Sequence, residues 1–260
     1  MPAESAQEDA WRSQMIETVT AMATPVLLEA LTSPDQTWRA EINSIDCTEV
    51  AEGETYAYQE LRLVSTADEV ARIVDSQLIA CGGLGAYGLA PRFWSPGAGY
   101  FYYTDGAIGL PDGCGYWNPP LLRVDTEDMQ VERLGGGVVS PDGTLVAAWS
   151  GEKLGIWEVD GERIGLFEVP TVARLPGPIA WRPDSSAIAF LISEGYCPPG
   201  ETDLARLDLA EMRPVMILAS REPAFTDLIW DAPNALTLVD ESGNRWSYNL
   251  LRRELLQLDR

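Results

Sequence analysis

Gly137-Val138-Val139-Ser140-Pro141-Asp142-Gly143-Thr144-Leu145-Val146-Ala147-Ala148-Trp149 places an apolar run, a turn and a second apolar run in immediate succession. Pro141 presets φ for the first corner of a turn, and the Asp-Gly after it tolerates the second. The flanking residues are small or β-branched and apolar on both sides, as in strands covered on both faces. The segment reads as a tight hairpin inside a buried sheet.

The same phrase recurs along the chain. Ile179-Ala180-Trp181-Arg182-Pro183-Asp184-Ser185-Ser186-Ala187-Ile188-Ala189-Phe190 and Arg92-Phe93-Trp94-Ser95-Pro96-Gly97-Ala98-Gly99-Tyr100-Phe101-Tyr102-Tyr103 are clear copies. Leu31-Thr32-Ser33-Pro34-Asp35-Gln36-Thr37-Trp38 and Leu228-Ile229-Trp230-Asp231-Ala232-Pro233-Asn234-Ala235-Leu236 follow the same grammar more loosely. Prolines 34, 96, 141, 183 and 233 are separated by 62, 45, 42 and 50 residues. A four-stranded propeller blade takes about 40–50 residues, so the spacing predicts a β-propeller of five four-stranded blades over 26–260. The units are roughly 26–90, 91–135, 136–177, 178–222 and 223–260, and the long first unit has room for a degenerate sixth.

Further strands follow each phrase. In the third unit these are 154–159 and 164–169, with the hairpin signal Asp160-Gly161 between them. In the fifth they are 245–250 and 254–258. Residues 1–25 stand apart as a leader. Trp11, Met15, Ile16, Val19 and Met22 lie near helical spacing and Pro25 would end a helix, so a short docked helix and a disordered leader are both open.

The Ser-Pro-Asp-Gly turn followed by a small apolar strand resembles the TolB-type, WD40-like propeller repeat. The resemblance spans about 26–260 and is strongest over 139–149 and 179–190. It implies that the strand pair around each turn is the inner half of a blade. The family usually has six blades, and only the third unit carries the full motif. It serves as protein-binding scaffold, peptidase-associated domain and sensor ectodomain, so the resemblance implies a fold and no single activity.

Composition excludes more than the motifs suggest. The 260 residues carry 40 acids against 18 bases, a net charge of −22. That surface repels nucleic acid and anionic lipid, and favours a basic or neutral partner. There is no histidine, which removes Ser-His-Asp and Cys-His catalysis and histidine-ligated metals. No apolar run is long enough to cross a bilayer as a helix, and no signal peptide pattern opens the chain.

Cys47, Cys81, Cys114 and Cys197 allow two disulfides in three connectivities. With strands alternating in direction, Cys47, Cys114 and Cys197 fall in connections between second and third strands, and Cys81 between units. All four are then expected at one face, paired 47–81 and 114–197, which favours a periplasmic or extracellular location over a cytoplasmic one. Tyr116 and Trp117 on one Pro-rich loop, Tyr196 on another, and Tyr87 are the expected ligand or partner contacts.

A hydrolase would need paired carboxylates with different environments. Glu41, Asp105, Asp142, Asp184 and Asp231 are the acids in or near inner strands, and no matched pair stands out. The acidic runs at 125–128 and 49–54 follow no calcium-loop pattern and read as solvated faces. The expectation is therefore a monomeric, non-enzymatic binding propeller without metal or cofactor, recognising a protein partner or a small ligand. A glycosidase-like hydrolase and an intracellular scaffold are the alternatives.

Overall fold

The computed structural model describes residues 2–82, 88–105, 120–169, 175–195, 200–220 and 223–258, with side chains from residue 10 onward. They form one helix, α1 (Pro2–Met22), followed by nineteen strands. Every strand pair in the ladders is antiparallel and joins sequence neighbours. The chain divides into two compact units, residues 1–110 with 121–133 and residues 111–120 with 134–260.

The first unit opens with α1, which ends three residues before Pro25. Ile16 and Val19 pack on Ile45, Tyr58 and Leu78. Behind them lies the meander β1 (Val26–Thr32), β2 (Trp38–Ala51), β3 (Glu54–Ser65) and β4 (Ala71–Ala80). The long first repeat is therefore one meander with long strands. β2 and β3 run 14 and 12 residues, against six each in β5 (Leu89–Trp94), β6 (Tyr100–Asp105) and β7 (Pro120–Asp125). The face of the first meander turned away from α1 buries Ala40, Ile42, Leu61 and Leu63 against Leu89, Trp94, Phe101, Tyr103, Leu122 and Val124.

β8 (Val131–Val139) serves two meanders. Its first residues follow β7, and Gly137, Val138 and Val139 pair with Ala148, Ala147 and Val146 of β9 (Leu145–Ser150). Between these halves Gly135 has φ +88°, and a Cβ there would lie 1.6 Å from the carbonyl oxygen of Trp149. Only glycine fits so close an approach.

In the second unit β9 is followed by β10 (Lys153–Glu158) and β11 (Arg163–Glu168), around the hairpin at Asp160-Gly161. Next come β12 (Leu175–Trp181), β13 (Ala187–Ser193), β14 (Thr202–Asp208) and β15 (Arg213–Ser220). The last meander is β16 (Phe225–Ala232), β17 (Ala235–Asp240), β18 (Arg245–Asn249) and β19 (Glu254–Gln257). Every residue of β13 is buried, because both faces of its sheet are covered. Ile188, Phe190 and Ile192 meet Trp149, Leu154 and Ile156 on one side. Ala187, Ala189 and Leu191 meet Phe225, Leu228 and Leu236 on the other. Uninterrupted apolar strands are the pattern two-sided burial requires.

The proline turns are one structure repeated. The N–H groups of Ser33, Ser95, Ser140 and Arg182 donate to the carbonyl oxygens of Trp38, Tyr100, Leu145 and Ala187, five residues on, at 2.8–2.9 Å. The second residue after each proline is left-handed: Gln36 (φ 62°), Ala98 (58°), Gly143 (74°) and Ser185 (59°). Pro233 differs, because it and Asn234 make a two-residue loop between the paired Ala232 and Ala235. A second repeat has no obvious residue signature. The N–H groups of Thr66, Thr126, Val159, Leu209 and Leu250, each just past a third strand, donate to Thr37, Gly99, Thr144, Ser186 and Asn234 in the inner turns at 2.9–3.0 Å. Among the described residues all five meanders carry this bond.

Candidate functional site

Strand phase builds a polar layer at one end of the first unit's core. On β3, Leu61 and Leu63 point into the core, so Gln59 two residues earlier leaves the same face. Its ladder partners are Ser44 on β2 and Gln77 on β4. Two pairs further along, Asp75 lies opposite Leu61. From β6, Tyr103 belongs to the same core, and Asp105 follows it in phase.

The contacts bear this out. Tyr103 donates its hydroxyl to Asp75 Oδ2 at 2.8 Å. Gln77 Nε2 donates to Asp105 Oδ1, and Arg133 donates to Asp105 Oδ2 at 2.9 Å. Burial first, and then the Asp75 charge, push the Tyr103 hydroxyl well above the ordinary tyrosine range, so it serves as a donor at any physiological pH. Oε1 of Gln59 and of Gln77 are both shielded from solvent and accept no hydrogen bond. Leaving a buried acceptor unmatched costs roughly 1–3 kcal/mol. Gly88 lies against this layer: a Cβ there would fall 1.7 Å from Gln59 Oε1.

The opposite face of the first sheet carries a second charged group beside α1. Glu60 is buried, ion-paired with Arg62, and accepts the Tyr58 hydroxyl at 3.1 Å. Burial, reinforced by Glu60, pushes Tyr58 up to about 12.

A disulfide joins Cys47 to Cys81 just beyond the polar layer. Cys47 lies within β2 and not in a connection between strands as the repeat arithmetic has it. A register break between Ile45 and Thr48 takes it out of the ladder with β3, and the bulge brings its Cα within 6.0 Å of that of Cys81. Past the disulfide the hairpin of β2 and β3 continues with Glu49, Glu52 and Glu54 exposed. The expected contact residues Tyr87, Tyr116, Trp117 and Tyr196, and the cysteines Cys114 and Cys197, lie outside the described residues.

The acids weighed for catalysis go to separate places. Asp142 accepts the Ser140 hydroxyl at 2.6 Å and the Thr144 N–H at 3.1 Å. Its carboxyl is lowered to about 2, first by Ser140 and then by Thr144. Asp184 accepts the Ser186 hydroxyl and N–H and is lowered likewise. Glu41 is held by Arg39 at 2.6 Å, and Asp231 is exposed on β16. In the acidic run at 125–128, Asp125 and Asp128 cap their own turn by accepting the N–H groups of Glu127 and Gln130. The described residues hold no group of three or more Cys, Asp or Glu placed to bind a metal, and none of their helices is long and apolar enough to cross a membrane.

The polar layer was missed at the sequence level. Its signal is there: Gln59 is in phase with Leu61 and Leu63, and Gln77 with Asp75. A polar residue in phase with core positions is informative only once the phase is known.

No protein-family model matches the chain, and no curated protein does. TolB is among its structural neighbours. The match to TolB from Acinetobacter baumannii has a TM-score of 0.37 and 15% identity, over 91% of this chain and 55% of that one. Dipeptidyl peptidase 4 from Porphyromonas gingivalis matches with a TM-score of 0.48 and 11% identity, over 93% of this chain and 41% of that one. Hydrazine synthase from Kuenenia stuttgartiensis matches with a TM-score of 0.44 and 12% identity, over 88% and 64%. The chain thus spans 41–64% of the length of these solved chains. At such identities the likeness concerns the fold alone.

Proposed function

We propose that the five meanders are blades of one β-propeller, and that this chain is a monomeric, non-enzymatic recognition module working outside the cytoplasm. The bond from the end of each third strand to each inner turn, present in all five meanders, supports a single repeated blade. The Cys47–Cys81 disulfide supports an oxidising compartment. The recognition reading is carried by one observation, the long β2–β3 hairpin that runs past the disulfide and presents its acids to solvent. A stapled hairpin loses little conformational freedom on binding. Its charge, like the net −22 of the chain, suits a basic or neutral protein surface.

The test places a photo-crosslinking residue at Glu52, in the hairpin tip, or at Glu211, in an outer turn of the fourth meander, in cells that export the chain. Adducts at 52 with none at 211 support the reading. Equal yields at both, or none at either, overturn it. A non-reducing peptide map of the same material shows the 47–81 link if the compartment is oxidising.

A further inference from the structure

The polar layer of the first unit has two acceptors and nothing to satisfy them. Gln59 and Gln77 are directly opposite in the β3–β4 ladder, which sets their Cβ atoms about 5 Å apart on one face. Both Oε1 atoms are sealed from solvent without a partner, and Gln77 as a whole is 4% exposed. Reversing the Gln77 amide does not cure this, because Nε2 is committed to Asp105. Gly88 is bare where the chain passes Gln59, and the Gln59 amide takes the place a Cβ there would occupy.

The acceptors of this layer are all oxygen: the amide oxygens of the paired Gln59 and Gln77, the Asp75 carboxylate that holds Tyr103 and the Ser76 N–H, and the Asp105 carboxylate that holds Gln77. Two carboxylates are brought to this layer, Asp75 on Tyr103 and Asp105 on Arg133. Amide and carboxylate oxygens suit a hard cation, whereas zinc and copper favour nitrogen or sulfur.

We propose that this layer binds one small hard cation of the calcium or sodium class, coordinated by Gln59 Oε1 and Gln77 Oε1, with Asp75 and Asp105 supplying the charge. The ion satisfies both orphaned oxygens and ties β3 and β4 to β6. The site does not depend on the hairpin partner.

The full chain, stripped with chelator, is melted in metal-free buffer with added calcium, magnesium, sodium or potassium. Terbium luminescence sensitised by nearby tyrosine, Tyr103 above all, reports occupancy. At ten times its Kd an ion raises Tm by about 3 °C. Gln59→Leu and Gln77→Leu lose the rise and the terbium signal, while Glu52→Gln on the acidic hairpin keeps both. A rise with calcium alone assigns a divalent ion, and a rise with sodium or potassium alone a monovalent one. The proposal is overturned if no ion moves Tm, or if either leucine variant keeps the rise. Should Gln77→Leu not fold, Gln59→Leu decides by the same two readouts.

Discussion

The indole Nε1 of Trp181 donates to the carbonyl oxygen of Val138 at 3.0 Å, joining the end of one innermost strand to the innermost strand of the preceding meander. Trp94 makes the same link to Leu31 at 2.9 Å in the first unit. Both tryptophans stand two residues before a turn proline. Trp230, near the corresponding place in the last meander, is buried with its Nε1 unpaired.

That difference orders three substitutions. Trp181→Phe and Trp94→Phe each lose ring contacts and orphan a carbonyl, costing about 2 kcal/mol. Trp230→Phe loses ring contacts and removes an unmatched donor, so it costs less, about 1 kcal/mol or below. Urea midpoints of the three variants give the order directly. Equal losses would mean that the indole bonds add nothing to packing.

The proline turns predict a gain. Gln36 holds φ 62° where the equivalent residue of the third turn is Gly143. Glycine removes the Cβ strain of that conformation, so Gln36→Gly raises stability by up to about 1 kcal/mol. Gly143→Ala lowers it by a similar amount. Both are read from thermal melts.

Asp142 predicts acid behaviour. Its carboxyl is lowered from 3.8 to about 2 in the folded chain, so its stabilising effect is fully present above pH 3.8 and is lost as pH falls through about 2. Asp35 and Asp184 are lowered by the same turn contacts. Ser140→Ala removes the largest cause for Asp142 and moves the loss to higher pH. Denaturation midpoints between pH 2 and 5 check the direction. A wild-type profile in Ser140→Ala would show that the hydroxyl does not hold the charge.

The disulfide closes a loop of sequence separation 34, worth about 3–4 kcal/mol if its effect is mainly on the unfolded chain. Reduction, or the Cys47→Ser and Cys81→Ser pair, lowers the urea midpoint accordingly. Hydrogen exchange then rises first in the far halves of β2 and β3, which the bridge pins.

Gly135→Ala is expected to prevent normal folding of the crossing in β8. The added Cβ meets backbone, the Trp149 carbonyl, and backbone cannot swing aside as a side-chain tip can. Soluble yield and the near-ultraviolet circular dichroism of Trp149 report the failure.

The turns and strand pairs were written in the sequence because they are local. A proline that presets φ, a short polar corner and apolar runs on either side specify a hairpin within about a dozen residues, and Ser140-Pro141-Asp142-Gly143 needs nothing distant to form one. The hairpin at Asp160-Gly161 was legible for the same reason, whereas the helix over 2–22 was one of two open readings and the Cys47–Cys81 pairing, 34 residues apart, was expected with Cys47 placed in a connection rather than in β2. What tertiary structure alone decided was direction. Whether Gln59 faces solvent or core depends on the phase that Leu61 and Leu63 take against the facing sheet, and a one-residue slip would reverse it. The bulge that draws Cys47 out of its ladder and the approach of Gly135 to Trp149 are also products of packing. Sequence therefore determined the repeated unit, and the contacts between sheets decided which polar groups were left facing one another without water.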